Sequence, residues 1–309
     1  MTGTVGPAAE VVVECTGLGK RFGRTVALRD IDLQVNRGEV LGYLGPNGAG
    51  KTTTLRILMG FVRPSTGTAR VLGRDTWRDA ARVHRDVGHL SGEPALHDRL
   101  TGREHVRATA RLRGRDDHRR AEGIADRLDL DLDRPARALS KGNRQKLAVV
   151  LAFMSDPLLL VLDEPTSGFD PLVQQGFQAM LAEHTAAGGC ALLSSHLLGE
   201  VQRAADRIGV LRAGRLVAVE DMEALRARSL HRVRARFATD VAADGFAGIP
   251  GVRDLVVTGS TLSCSAPATA LDAIVGRLAA HHLLDLQCTE ADLEETFLAY
   301  YGAERSDGV

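Results

Sequence analysis

The chain has 309 residues, 39 of them basic and 39 acidic, and 44% are hydrophobic. That balance excludes a partner held by bulk charge, so neither nucleic acid nor an anionic lipid surface is expected. No apolar run reaches the roughly 18 residues needed to span a bilayer, and the N-terminus lacks both a basic flank and an apolar core, so a cytoplasmic location is expected.

In chain order, the first strand signal is VLGYLG (40–45), which runs into a glycine-rich turn and then a helix at KTTTLRILMG (51–60). RDVGHL (85–90) reads as a second strand. From about 101 to 155 the pattern turns helical and Arg-rich, an inserted helical layer. Within it ARLRGRDDHRR resembles a basic patch, but Asp116 and Asp117 interleave, and a solvated helix face is the better account. LLLVLD (158–163) and CALLSS (190–195) are further buried strands, and DRIGVLRAGRLVAVE (206–220) is a hairpin about Ala213-Gly214.

Past Leu225 the character changes. RVRARFA (232–238) alternates Arg with apolar residues, a strand with one wet face. LVVTGSTLSCS (255–265) is a hairpin about Gly259-Ser260. ALDAIVGRLAAHH puts Leu271, Ile274, Val275 and Leu278 on one helical stripe, LLDLQC (283–288) is a strand, and EADLEETFLAYYG (290–302) is a closing helix. These elements predict an α/β core over 10–222, with a helical insertion at about 92–155, and a small α+β domain over 230–302. Cys15, Cys190, Cys264 and Cys288 lack metal-ligand spacing and are expected to be reduced and structural.

Chemistry concentrates at two places. GPNGAGKT, from Gly45 through Pro46, Asn47, Gly48, Ala49 and Gly50 to Lys51 and Thr52, lies between a strand and a helix. There it matches the phosphate loop G-x-x-x-x-G-K-[ST]. Its glycines free backbone N–H groups to curl around a phosphate, and the helix that carries Thr53 presents its positive dipole end. Lys51 reaches terminal phosphate oxygens as a point charge, and the Thr52 hydroxyl is a Mg²⁺ ligand. Only four of the 39 basic residues are Lys, so Lys51 stands where Arg does not substitute. The second place is LLLVLDEP, a buried strand that ends in two carboxylates. Asp163 is positioned for the Mg²⁺ shell and Glu164 for the attacking water as general base. His196, at the end of the next strand, reads either as a structural histidine or as a γ-phosphate contact.

Together these residues resemble the nucleotide-binding subunit of an ABC transporter, almost continuously over 10–222. LSKGN (139–143) is similar to that family's signature, SGFD (167–170) to its D-loop with Ser167 and Asp170, and SSH (194–196) to its switch histidine. The resemblance implies that Phe22 stacks on adenine. It also implies that two subunits pair head to tail, so that Ser140 and Gly142 of one close on ATP held by the other. A separate multi-span permease is implied as the second partner, with the ATPase peripheral on the inner face of the membrane. The signature departs at Lys141 and Asn143 but keeps Ser140 and Gly142. A larger departure is at the Q-loop, where the family glutamine falls on Gly92, followed by Glu93: either Glu93 substitutes or turnover is slow. The tail LEETFLAYYG (293–302) is similar to the closing segment of type-2 exporters, among which drug-resistance systems are prominent. A nucleotide-gated regulator with weak hydrolysis is the alternative; a soluble translation or repair ATPase fits less well, since there is one phosphate loop and no heptad or zinc insertion.

Overall fold

The computed structural model describes residues 10–290 apart from 116, 229 and 247. These fall into two compact units, divided between Val219 and Glu220.

The first unit opens with β1 (Val11–Phe22) and β2 (Thr25–Asn36), a long antiparallel hairpin. Then come β3 (Val40–Leu44), α1 (Lys51–Leu58), β4 (Thr66–Val71), β5 (Arg74–Asp75), α2 (Ala80–Asp86) and β6 (Val87–Leu90). Three helices follow, α3 (Gly102–Arg113), α4 (His118–Arg127) and α5 (Lys141–Phe153). The unit closes with β7 (Leu159–Asp163), α6 (Pro171–Ala186), β8 (Cys190–Ser195), α7 (Leu198–Ala204), β9 (Arg207–Arg212) and β10 (Arg215–Asp221).

Two sheets result. An antiparallel one runs β2-β1-β4-β5, and a second runs β10-β9-β3-β8-β7-β6. Strands β3, β6, β7, β8 and β9 pair in parallel, and β3, β7 and β8 are buried at every residue. Continuous apolar sequence in these strands is what a parallel sheet covered on both faces requires. The loops after β3, β7 and β8 all leave at the carboxyl edge, where open α/β sheets place ligands.

The antiparallel sheet is missed by the sequence reading, which assigns no strand before Val40. Register shifts between Cys15 and Leu18 and again between Leu18 and Lys20 break the period-two pattern that marks a strand. Arg85 and Asp86, expected in a strand, instead end α2, and β6 begins at Val87. Between β6 and β7 the helices span residues 102–153; α3 starts with a capping box in which Thr101 and Glu104 bond each other's backbone N–H groups.

The second unit contains α8 (Met222–Arg228), β11 (Leu230–Phe237), β12 (Arg253–Thr258), β13 (Thr261–Pro267), α9 (Leu271–Ala279) and β14 (Leu283–Glu290). Its antiparallel sheet runs β12-β13-β11-β14. Val233, Ala235 and Phe237 of β11 face a core with Leu262, Ile274 and Leu278, while Arg232, Arg234 and Arg236 alternate outward. Val275, expected in the apolar stripe of α9, is 47% exposed; Ile274 and Leu278 carry the packing. Of the closing helix expected at 290–302, Glu290 instead ends β14, and 291–302 lie outside the described residues. All four cysteines are free; three are buried, but Cys288 is exposed on β14 and takes no part in a core. Burial pushes the Cys15 and Cys190 thiols up to about 12, as befits packing groups rather than nucleophiles.

Candidate active site

The loop after β3 turns back sharply and enters α1. Gly50, its last residue, has φ +114°, and a Cβ there would lie 2.8 Å from the Ala27 carbonyl oxygen. At Gly45 a Cβ would collide with the Leu211 carbonyl oxygen. Only glycine fits either position. Pro46 accepts a bond from Ala49 N–H at 3.1 Å, closing the turn, and Ala49 is buried against the core. Lys51 folds back along this curl. Its Nζ donates to the Gly45 carbonyl at 2.5 Å and to that of Pro46 at 3.4 Å, with 6% of the residue exposed.

The two carboxylates at the end of β7 have separate settings. Asp163, 5% exposed, accepts from the Thr52 hydroxyl at 2.9 Å on one oxygen and from the Ser194 hydroxyl at 2.5 Å on the other. Thr52 and Asp163 thus present two hard oxygen donors side by side, a set that suits Mg²⁺. Glu164 departs from the strand in a left-handed conformation, φ +49°. Its N–H donates to the Ser194 carbonyl at 3.1 Å, and its carboxylate lies between Lys51 Nζ at 3.6 Å and His196 Nδ1 at 2.8 Å. His196 is thus a direct partner of Glu164, a contact that neither sequence reading names.

Lys51, Thr52, Asp163 and Glu164 border a cleft of about 590 Å³; Ser194 and His196 do not line it and meet it only through the carboxylates they bond. Pro46, Asn47, Gly48, Gly50, Lys51, Thr52 and Thr53 form one wall, Asp163 and Glu164 the floor, and Ser91, Gly92 and Glu93 the far rim. Gly92 sits where a Cβ would be 3.6 Å from an Asp163 carboxylate oxygen, an ordinary contact distance, so a side chain there would start beside the paired oxygens. Glu93 is exposed. His89 of β6 also lines the cleft; burial pushes its pKa down to about 4, so it is neutral there despite nearby Asp163.

Other expected site residues stand elsewhere on the chain. Ser140 caps α5, accepting from Asn143 N–H at 3.2 Å, and Gly142 packs so that a Cβ would lie 3.0 Å from the Gly168 carbonyl oxygen. Ser167 N–H donates to the Glu164 carbonyl at 3.2 Å, and Asp170 caps α6 by accepting from Leu172 and Val173 N–H, each at 3.0 Å. Phe22 is 48% exposed, with Lys20 Nζ 4.7 Å from its ring centroid. Ser140, Gly142, Ser167, Asp170 and Phe22 do not line the cleft.

Two residues of the site, and Gln145 on α5, whose Nε2 donates to the Glu164 and Pro165 carbonyls, escape sequence reasoning. Ser194 lies inside SSH, where the motif points only to His196, although alternation along β8 puts Ser194 beside Asp163. His89 and Gln145 carry no local signal.

A family profile described as "ABC transporter" matches residues 28–167. The daunorubicin resistance ATP-binding protein DrrA3 of Streptomyces coeruleorubidus is 37% identical over 226 residues, 72% of each chain. The Nod factor export ATP-binding protein I of Ralstonia nicotianae is 31% identical over 313 residues, 96% of this chain and 95% of that one. A solved ATP-binding subunit of an ABC transporter superposes with a TM-score of 0.66 at 30% identity, over 70% of this chain and 92% of its own. On the convergent strand ends and these likenesses, the chain belongs to the ATP-binding family of ABC transporters and is an ATPase of that family.

Proposed function

We propose that this chain is the motor subunit of an exporter, pairing with a second ATP-binding subunit and driving a separate membrane permease. The observation that carries the reading is the convergence of Lys51, Thr52, Asp163 and Glu164, from two strand ends, on one cleft, with His196 from a third strand end bonded to Glu164. The phosphate loop would hold the β- and γ-phosphates of ATP, with Lys51 exchanging its carbonyl partners for phosphate oxygens. Glu164 would accept the proton of the attacking water, and His196 would orient that carboxylate and meet the γ-phosphate. Thr52 and Asp163 would hold Mg²⁺, which when bound would supply positive charge against the negative charge that develops on the phosphate. Phe22 would stack on the base.

Ser140 and Gly142 are suited to serve a second copy: they sit at the open end of α5, apart from the cleft of their own chain. A head-to-tail pair would bring that helix end, with its dipole and free N–H groups, onto the neighbour's γ-phosphate. No helix among the described residues is long and apolar enough to cross a membrane. In this reading the span belongs to the permease, and the ATPase takes a peripheral place at the inner face. The daunorubicin-resistance relative supports a drug or antibiotic as the exported class. A second reading, a nucleotide-gated switch with slow turnover, is favoured by the missing side chain at Gly92.

The test is to express the tagged protein with Glu164→Gln in its own host and identify what co-purifies from mild-detergent membranes with ATP. A stoichiometric multi-span protein is the expected result. A protein that stays alone in the soluble fraction overturns the motor reading.

A further inference from the structure

Gln145 lies on the second turn of α5, between the signature residues and the body of that helix, and only 2% of it is exposed. Its amide is committed in one direction. Nε2 donates to the Glu164 carbonyl at 3.1 Å and to the Pro165 carbonyl at 3.2 Å. Those two oxygens belong to the sharp exit of β7, where Glu164 adopts φ +49°, a conformation that residues with a Cβ rarely hold without outside restraint. The restraint is two-sided. Ser194 of β8 fixes the N–H side of Glu164, and Gln145, with Ser167 N–H, fixes its carbonyl side. The carboxylate of Glu164 projects from a peptide pinned at both ends.

We infer that Gln145 is a positioning residue for Glu164, holding the backbone of the proposed general base from the signature helix of the same chain. The inference rests on the reading of Glu164 as that base. Gln145 touches neither the cleft nor the carboxylate, so it acts only through the backbone it holds. A leucine of similar length would leave the Pro165 carbonyl without this donor and the Glu164 carbonyl with Ser167 N–H alone, and free the peptide to relax from the left-handed region. A shift of about 1 Å at the carboxylate is enough to cost on the order of 100-fold in rate. Because α5 begins at the Ser140 cap, the same bond ties each copy's Glu164 to the helix end proposed to meet the neighbour's nucleotide.

The experiment is single-turnover ATP hydrolysis and ATP binding for Gln145→Leu, alone and in a Glu164→Gln background. The expected result is a rate loss of roughly 10- to 100-fold with the ATP Kd within about twofold, and no further loss once Glu164 has been replaced, because two changes acting on one function are not additive. An unchanged rate, a weakened Kd of equal size, or the same fractional loss in both backgrounds overturns the inference. Gln145→Glu is the second variant, for use if leucine prevents folding. Its carboxylate cannot donate when ionised but donates one bond when protonated, so its rate relative to wild type should rise as pH falls; a flat ratio overturns the inference. A wild-type protein that binds ATP but never hydrolyses it defeats the reading of Glu164 itself, and the two failures are thereby told apart.

Discussion

His196 Nδ1 lies 2.8 Å from one oxygen of Glu164, and Lys51 Nζ lies 3.6 Å from the other. The carboxylate is held on both sides, by an ion pair with buried Lys51 and by the His196 ring. Replacing it with an amide of the same shape keeps the geometry and removes the base. Glu164→Gln is expected to lower kcat by roughly 10²- to 10⁴-fold, the usual share of a general base, with ATP affinity retained. His196→Ala should lower kcat as well, without a matching change in Kd. Steady-state kinetics and equilibrium binding of the two variants check both.

The Asp163 carboxylate is oriented by a hydroxyl on the neighbouring strand, Ser194, at 2.5 Å. Removing a group that orients a metal ligand commonly costs roughly 10- to 100-fold in metal affinity or activity. Ser194→Ala is therefore expected to raise the Mg²⁺ concentration for half-maximal ATPase activity by about that factor. A Mg²⁺ titration that overlays the wild-type curve refutes the assignment.

A Cβ at Gly92 would find its nearest neighbour, an Asp163 oxygen, 3.6 Å away, so the backbone accepts a side chain there. Gly92→Gln should raise kcat several-fold if the absent side chain limits turnover. Glu93→Ala decides the other possibility. A fall in ATPase activity shows that Glu93 supplies the function, and unchanged activity shows that it does not.

The phosphate loop and the DE pair are legible in the sequence because each residue type there is demanded by a conformation or a charge within a few positions of itself. The parallel core strands are legible for a similar reason, since burial on both faces writes a continuous apolar run. The β1–β2 hairpin is not, because its bulges break the alternation locally. Gln145 is invisible for a different reason. It looks like any polar residue on a helix until the fold brings it to Glu164, 19 positions away. Val275 misleads because helical spacing shows which residues share a stripe but not where the stripe's covered part ends.

A methyl group at Gly42 would collide with Val201 Cγ1, where β3 meets α7. Overpacking of this kind costs about 1–3 kcal/mol. Gly42→Ala should lower the unfolding midpoint in urea, and adding Val201→Ala should recover much of the loss. If Val201→Ala only adds to the damage, the contact is not the cause.

Burial in the core lowers the pKa of His184, which donates to the Cys190 carbonyl and packs edge-on against Phe153. The unfolded chain then takes up this proton at higher pH than the folded one. Stability from this group is present above the ordinary histidine value near 6.5 and is lost as pH falls below it towards the depressed folded value. His184→Phe keeps a ring against Phe153 and has nothing to titrate. Its Tm should decline less steeply than wild type below pH 6.5, as followed by thermal melts across that range.

Strands β7 and β8 are apolar along their length, so sliding one residue past the other would exchange one set of aliphatic contacts for another of similar worth. Their polar ends forbid it. Ser194 bonds Asp163 and the Glu164 N–H, while Ser195 donates to Glu200 at 2.7 Å. A slip by one would face Asp163 with a hydroxyl already engaged and leave a buried carboxylate short of a donor. The groups that serve catalysis thus also proofread the alignment of the two central strands, and a misregistered molecule would fail both as a fold and as an enzyme.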